Sequence, residues 1–130
     1  IPLLAYTGDT QMCANLLCEE FCKAKVVLTE CTFFDPKHRD RAAVGKHLHV
    51  EDLPELLEAW EADNVILLHG SRRTSLEQAR ERVDEVLGKS QAARVHMLMD
   101  HRRNRMRYDQ QIENADQSSK PGVDEVTADP

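Results

Sequence analysis

Ile1-Pro2-Leu3-Leu4-Ala5-Tyr6-Thr7-Gly8-Asp9-Thr10 is an apolar run that stops at a glycine and then delivers an aspartate. From Pro2 to Thr7 it reads as a short strand, and Gly8 marks the turn that carries Asp9 into a loop at the strand's C-terminal end. The run is already under way at Ile1, as expected of a fragment or processed product that begins inside a strand. The same grammar recurs twice downstream: Val26-Val27-Leu28 leads to Glu30, and Val65-Ile66-Leu67-Leu68 leads to His69 and Ser71. Val95 to Met99 reads as a last strand. Between the strands lie stretches of helical spacing. Thr10 suits an N-cap before Met12, Leu16, Leu17 and Phe21. Leu53, Leu56, Leu57 and Trp60 share a stripe between Glu51 and Ala62. Leu76, Ala79, Val83, Val86 and Leu87 follow Ser75 and stop at Gly88. The segment around Pro36 reads as a loop. Strands alternating with helices imply an α/β layered architecture. The strands are continuously apolar, so both of their faces are expected to be covered.

Composition narrows the class. The chain has 130 residues, 41% hydrophobic and 31% charged, which excludes a wholly disordered or collagen-like polymer. No apolar run approaches the roughly 18 residues of a membrane span, and no secretory leader is visible. Charge is uneven. The stretch 109–130 carries one lysine against six acidic residues and supplies most of the net charge of −6, so residues 1–108 are nearly neutral. That acidic stretch lacks apolar periodicity and is expected to be a disordered tail. Cys13, Cys18, Cys22 and Cys31 lack CxxC spacing and read as small interior thiols, which fits a reducing cytoplasm, with a zinc knot or a disulfide framework as the alternatives.

Three polar residues follow strands directly: Asp9, Glu30 and His69. Open α/β sheets place their sites at that edge. Singly, each has an ordinary structural reading, as part of a helix cap, an ion pair with an arginine, or a hydrogen-bonded interior histidine. Their order along the chain carries more weight.

In that order the chain resembles the C-terminal half of metallo-β-lactamase-fold hydrolases, most closely the ribonuclease Z-like branch. Tyr6-Thr7-Gly8-Asp9-Thr10 matches that family's YTGDT segment, and Thr29-Glu30-Cys31-Thr32-Phe33 is similar to its HEATF segment. Gly45-Lys46-His47-Leu48-His49 stands in the place of GHST, and Leu68-His69-Gly70-Ser71-Arg72-Arg73 lines up with THFSxR. Lys46 intervenes before the histidine, so His47 or His49 fits the family position; we take His47. Thr29 stands where the family has a histidine before the glutamate, and Gly70 and Thr74 stand where aromatic residues are usual.

The resemblance implies a metallo-β-lactamase-like αβ/βα layered sandwich, of which residues 1–108 form the C-terminal half. It implies a metal-dependent hydrolase using two zinc ions, with manganese the alternative. Asp9 is implied to bridge the ions and His69 to ligate one. His47, with Glu30 behind it, is implied to stabilise the reacting oxygen or protonate the leaving group. Arg73, Arg72 and Ser71 are implied to hold the substrate phosphate. The chemistry is coherent: a bridging carboxylate reduces cation repulsion, paired ions stabilise attacking and leaving oxygens, and a guanidinium fork matches phosphate. The implied substrate is a phosphodiester, or RNA as in transfer-RNA 3′ processing. The family's HxHxDH block has no match here, where the only HxH is His47-Leu48-His49. The resemblance therefore implies a hydrolase that is incomplete as this chain alone.

Rival readings remain. Thioesters, lactones or sulfate esters are alternative substrates on the same fold, since fold does not fix substrate. A non-catalytic α/β scaffold lacking the metal-binding half would show the same strands. Half of a layered core would leave an apolar sheet face that a homodimer covers. Arg102, Arg103, Arg105 and Arg107 read as a solvated exit from the last strand or as an RNA contact. His38 and His96 carry no motif.

Overall fold

Val26–Glu30 and Asn64–Leu68 are β-branched and leucine-rich, and they form the two central strands of a parallel sheet. In the computed structural model, which describes residues 2–119, the sheet is β1 (Leu4–Tyr6), β2 (Val26–Glu30), β3 (Asn64–Leu68) and β4 (Val95–Met97). Strand order follows chain order, and each strand pairs in parallel with the next. All four expected strands are present, with β1 and β4 trimmed to three residues each. The α/β class is therefore as expected.

The register aligns Ala5, Val27, Val65 and Val95 in one row, and Thr29, Leu67 and Met97 in another. Except for the half-buried Ala5, these side chains are buried. They share one core with Leu53, Leu56 and Leu57 of α3 (Leu53–Ala59) and with Ala79 and Val83 of α4 (Leu76–Ala92). The opposite face does not match the expectation of full cover. Val26, Leu28, Ile66 and Leu68 are only half-buried, while Leu4 and Tyr6 on edge strand β1 are 57% and 58% exposed. Apolar strands alone cannot tell which face the helices will occupy.

The connections depart from simple periodicity in three places. The expected helix after Thr10 is a 3-10 turn at Ala14–Leu17 followed by the short α1 (Glu19–Lys23). Thr10 is not its cap: Cys13 and Cys18 stand at the cap positions, the Thr10 hydroxyl donates to Gln11 O at 2.8 Å, and its N–H donates to Glu30 Oε1 at 3.2 Å. The segment read as a loop at Pro36 contains α2 (Arg39–Gly45), entered through a 3-10 turn that Asp35 caps. α2 ends at Lys46, whose φ of 58° is left-handed. There His47 N–H donates to Ala42 O at 2.9 Å and Lys46 N–H to Ala43 O at 3.3 Å, a Schellman closure made without glycine. The helix expected from Glu51 begins instead at Leu53, after a 3-10 turn at Val50–Asp52. α4 starts at the Ser75 cap, with Ser75 and Gln78 exchanging hydrogen bonds. Gly88, at φ 77°, interrupts it as expected, and a further helical segment reaches Ala92.

The chain divides between Asp100 and His101. Beyond lies α5 (His101–Ser119), with no buried side chain. The stretch expected to be disordered from 109 is thus helical as far as Ser119, and 120–130 lies outside the described residues. No glycine or proline occurs between 101 and 119, and Arg105 pairs with Asp109 one turn on at 3.3 Å, which explains the helix. Among the described residues, no helix is long and apolar enough to cross a membrane.

Two polar features tie the core together. Trp60 Nε1 donates to Leu16 O at 2.8 Å and its ring stacks on Phe21. Arg94 donates to the carbonyls of Leu57, Trp60 and Ala62 and to Gln91 Oε1, joining the end of α3 to the approach to β4. Arg94→Leu strands those carbonyls and is expected to cost about 3 kcal/mol in denaturant unfolding. Arg94→Lys should recover only part, because an ammonium cannot span them as a planar fork does.

All four cysteines are free, with Cys31 buried and the others half-buried. Burial pushes the Cys31 thiol well above its ordinary value, and the charges of Glu30 and Asp52 push the same way. The unfolded thiol ionises first as pH rises. Its contribution to stability is therefore complete below about pH 8.5 and is lost above it. Cys31→Ala should flatten the fall in unfolding free energy between about pH 8 and 10; an unchanged slope would assign that fall to other groups.

Candidate metal centre

Parallel strands in register bring their C-terminal ends side by side: Tyr6 lies opposite Leu28, and Glu30 opposite Leu68. Thr7 N–H donates to Leu28 O at 3.1 Å and carries the ladder one residue past β1. Gly8, at φ 64°, then turns the chain and sets Asp9 out over the edge of the sheet. β3 ends one residue before His69. Asp9, Glu30 and His69 are thus neighbours in space, as their positions after strands predict.

Glu30 is fully buried, and its carboxylate is held by three donors from separate parts of the chain. Oε1 accepts from Leu48 N–H at 2.8 Å and Thr10 N–H at 3.2 Å, while Oε2 accepts from the Thr32 hydroxyl at 2.8 Å. A buried carboxylate without such partners would be several kcal/mol unfavourable. His47 follows the turn that closes α2 and stands with Nδ1 3.4 Å from Glu30 Oε1. That is ion-pair distance, but the angle makes no hydrogen bond, and Nδ1 has no hydrogen-bond partner although buried. Phe33 meets the His47 ring edge-on at 6.2 Å between centroids.

His69 has a left-handed backbone, φ 61°, a conformation that costs a non-glycine residue about 1–2 kcal/mol. Neighbouring hydrogen bonds hold it there: Cys31 N–H to Leu68 O at 3.0 Å, and Ser71 N–H to Thr32 O at 2.8 Å. The turned backbone sets the His69 ring 5.4 Å from that of His47. Its Nδ1 lies 3.8 Å from Asp9 Oδ1 and 3.1 Å from Thr32 Oγ1.

One ligand atom each from Asp9, His47 and His69 falls within 4.8 Å of the others. No family model and no curated protein matches this chain. Two imidazoles and a carboxylate are the nitrogen and oxygen donors that catalytic zinc sites use. The cluster faces solvent, with side chains 62% exposed at Asp9 and 51% at His69.

His49, the alternative to His47, lies elsewhere. It is fully buried; its Nε2 donates to Asp35 O at 2.7 Å and its Nδ1 accepts from Glu51 N–H at 3.1 Å. Nδ1 is spent on the turn before α3 and Nε2 on the residue that caps the turn into α2. The phosphate-holding candidates are not gathered at the cluster either. Arg72 and Ser71 line a cavity of about 200 Å³ with Phe34 and Met99. Arg73 lines another of about 230 Å³ with Asp35 and Glu81. Neither cavity is lined by Asp9, His47 or His69. Arg39, which the sequence reading missed, shares a cavity with His47. Its guanidinium donates to Asp52 at 2.7 Å, which pushes its pKa up. Thr32 was missed too, although its place two residues after Glu30 is the spacing that returns a side chain to the same side of an extended chain.

The left-handed backbone at His69 is testable. H69G should be about 1 kcal/mol more stable than H69A, since only the alanine retains the steric cost. Denaturant midpoints decide it, and an alanine variant as stable as the glycine variant would deny the strain.

Proposed function

We propose that this protein is a metal-dependent hydrolase of phosphodiesters, of the metallo-β-lactamase-like αβ/βα type and closest to the ribonuclease Z-like branch. The observation that supports this best is the convergence of Asp9, His47 and His69, from three separate segments, at the C-terminal edge of a parallel sheet. The nitrogen and oxygen donors gathered there suit a divalent cation. Asp9 and His69 would hold zinc, or manganese. When bound, the metal supplies Lewis acidity and a water of lowered pKa.

The protein's own residues perform the remaining work. Glu30 holds the Thr10 and Leu48 N–H groups, and so positions both the loop bearing Asp9 and the segment bearing His47. His47 carries a ring nitrogen to where charge develops and gives a proton to the departing oxygen. Ser71, Arg72 and Arg73 follow His69 on one loop, and because they line cavities apart from the cluster their role is to take phosphates farther along the substrate, the guanidinium fork supplying paired donors. RNA is the substrate class that the ribonuclease Z-like motifs favour. A second reading has a specific observation behind it: His47 stands close enough to Asp9 and His69 to be a third ligand.

Substitution in the full-length protein separates the roles. Asp9→Ala should lose metal and activity together. His47→Ala should retain metal while turnover of bis-(p-nitrophenyl) phosphate falls about 10²–10⁴-fold, the usual worth of a general acid or charge-stabilising donor. If His47→Ala loses metal as Asp9→Ala does, the histidine is a ligand and not the proton donor. Full metal content with no hydrolysis of any phosphodiester in the native protein would overturn the functional reading itself.

A further inference from the structure

Thr32 connects the buried carboxylate to the exposed histidine. Its hydroxyl donates to Glu30 Oε2 at 2.8 Å and lies 3.1 Å from His69 Nδ1. A hydroxyl has a single proton, and a carboxylate can only accept. With that proton committed to Glu30, the oxygen presents a lone pair to His69, so Nδ1 must be the donor. The other polar neighbour of Nδ1 is Asp9 Oδ1 at 3.8 Å, again an acceptor. Both neighbours select the same form of the ring. Nδ1 bears the hydrogen and Nε2 keeps its lone pair.

We propose that Thr32 is a positioning residue, which relays the Glu30 carboxylate to His69, holds its ring as the Nδ1–H tautomer and thereby presents Nε2 to a divalent cation. The last step rests on the metal reading above; the tautomer does not. A free histidine in water favours the opposite, Nε2–H form, so the protein must impose this one. Which nitrogen of a ligating histidine is available is set by the hydrogen bond the other makes, and loss of such a partner typically lowers metal affinity 10–100-fold. The arrangement is rigid at both ends. Glu30 and Thr32 are buried, and Thr32 O accepts from Ser71 N–H at 2.8 Å, so one residue pins both the ring and the loop that carries it. Glu30 thus acts on both histidines, on His47 at 3.4 Å and on His69 through a hydroxyl.

The test uses the full chain, native and as T32V and T32S. Valine keeps the shape and removes the hydroxyl; serine keeps the hydroxyl. Long-range nitrogen–proton correlation spectra, recorded without metal and well above the ordinary imidazole value of about 6.5, report the tautomer. The native protein and T32S are expected to hold His69 as Nδ1–H, and T32V to shift it toward Nε2–H. Zinc chloride titration should show affinity reduced 10–100-fold in T32V and restored in T32S. A native His69 in the Nε2–H form overturns the proposal. So does a T32V variant that keeps both tautomer and affinity. Should T32V fail to fold, the native and T32S spectra still decide the tautomer. If the native chain holds Nδ1–H but takes up no zinc, the tautomer assignment stands and the metal reading falls.

Discussion

The site is organised by the need to satisfy one buried carboxylate. Glu30 ends β2 with no exposure to solvent, and a carboxylate in that position must be met by hydrogen-bond donors or the fold loses several kcal/mol. The donors come from Thr10, Leu48 and Thr32. Two of these bonds draw the loop bearing Asp9 and the segment bearing His47 toward the edge of the sheet. The third leads through a hydroxyl to His69. One electrostatic requirement therefore assembles side chains that are about sixty residues apart in the chain, and a parallel sheet supplies the platform by aligning strand ends.

Backbone strain gathers at the same place. Lys46 and His69 are the described non-glycine residues with left-handed backbones, and they stand one residue before His47 and at the cluster itself. Each conformation is unfavourable for a side-chain-bearing residue and persists because surrounding structure holds it. At Lys46 the closing turn of α2 does this, with two carbonyls of the helix accepting its last N–H groups. At His69 the ladder to Cys31 and the bond from Ser71 to Thr32 do it. The stabilising side of the balance lies in the apolar core beneath β2, β3 and β4, closed by Trp60 and by the carbonyls that Arg94 gathers. Rigid packing on one face of the sheet and strained turns at its edge are two parts of one design.

The uncovered face has the opposite character. Leu4, Tyr6, Leu28 and Ile66 share it across the register of three strands, and none is fully buried. Burial of such a surface is worth about 25 cal/mol per Å², so a face of this kind favours association.

Much of this was legible in the residues alone. Short-range pattern determined that there are four strands with helices between them, that Leu53, Leu56, Leu57 and Trp60 turn inward, and that Asp9, Glu30 and His69 sit where strands end. Those features depend on side-chain period and on turn residues, which act over a few positions. Other features depended on contacts between distant segments. Thr10 has the chemistry of a helix cap, but the helical turn begins after Cys13, and the backbone N–H of Thr10 serves Glu30, twenty residues later. His47 and His49 are equivalent as letters two apart; only the fold spends the nitrogens of His49 on Glu51 N–H and on the distant Asp35 carbonyl and leaves His47 beside Asp9 and His69. Arg72 and Arg73 are adjacent in sequence yet line separate cavities. Thr32, two residues past the end of β2, shows no role until Glu30 and His69 close on it from opposite sides. The sequence by itself determined which groups could do the chemistry, because residue type and local period are written in it; tertiary structure alone decided which of them meet, because a buried carboxylate takes its donors from wherever the chain happens to pass.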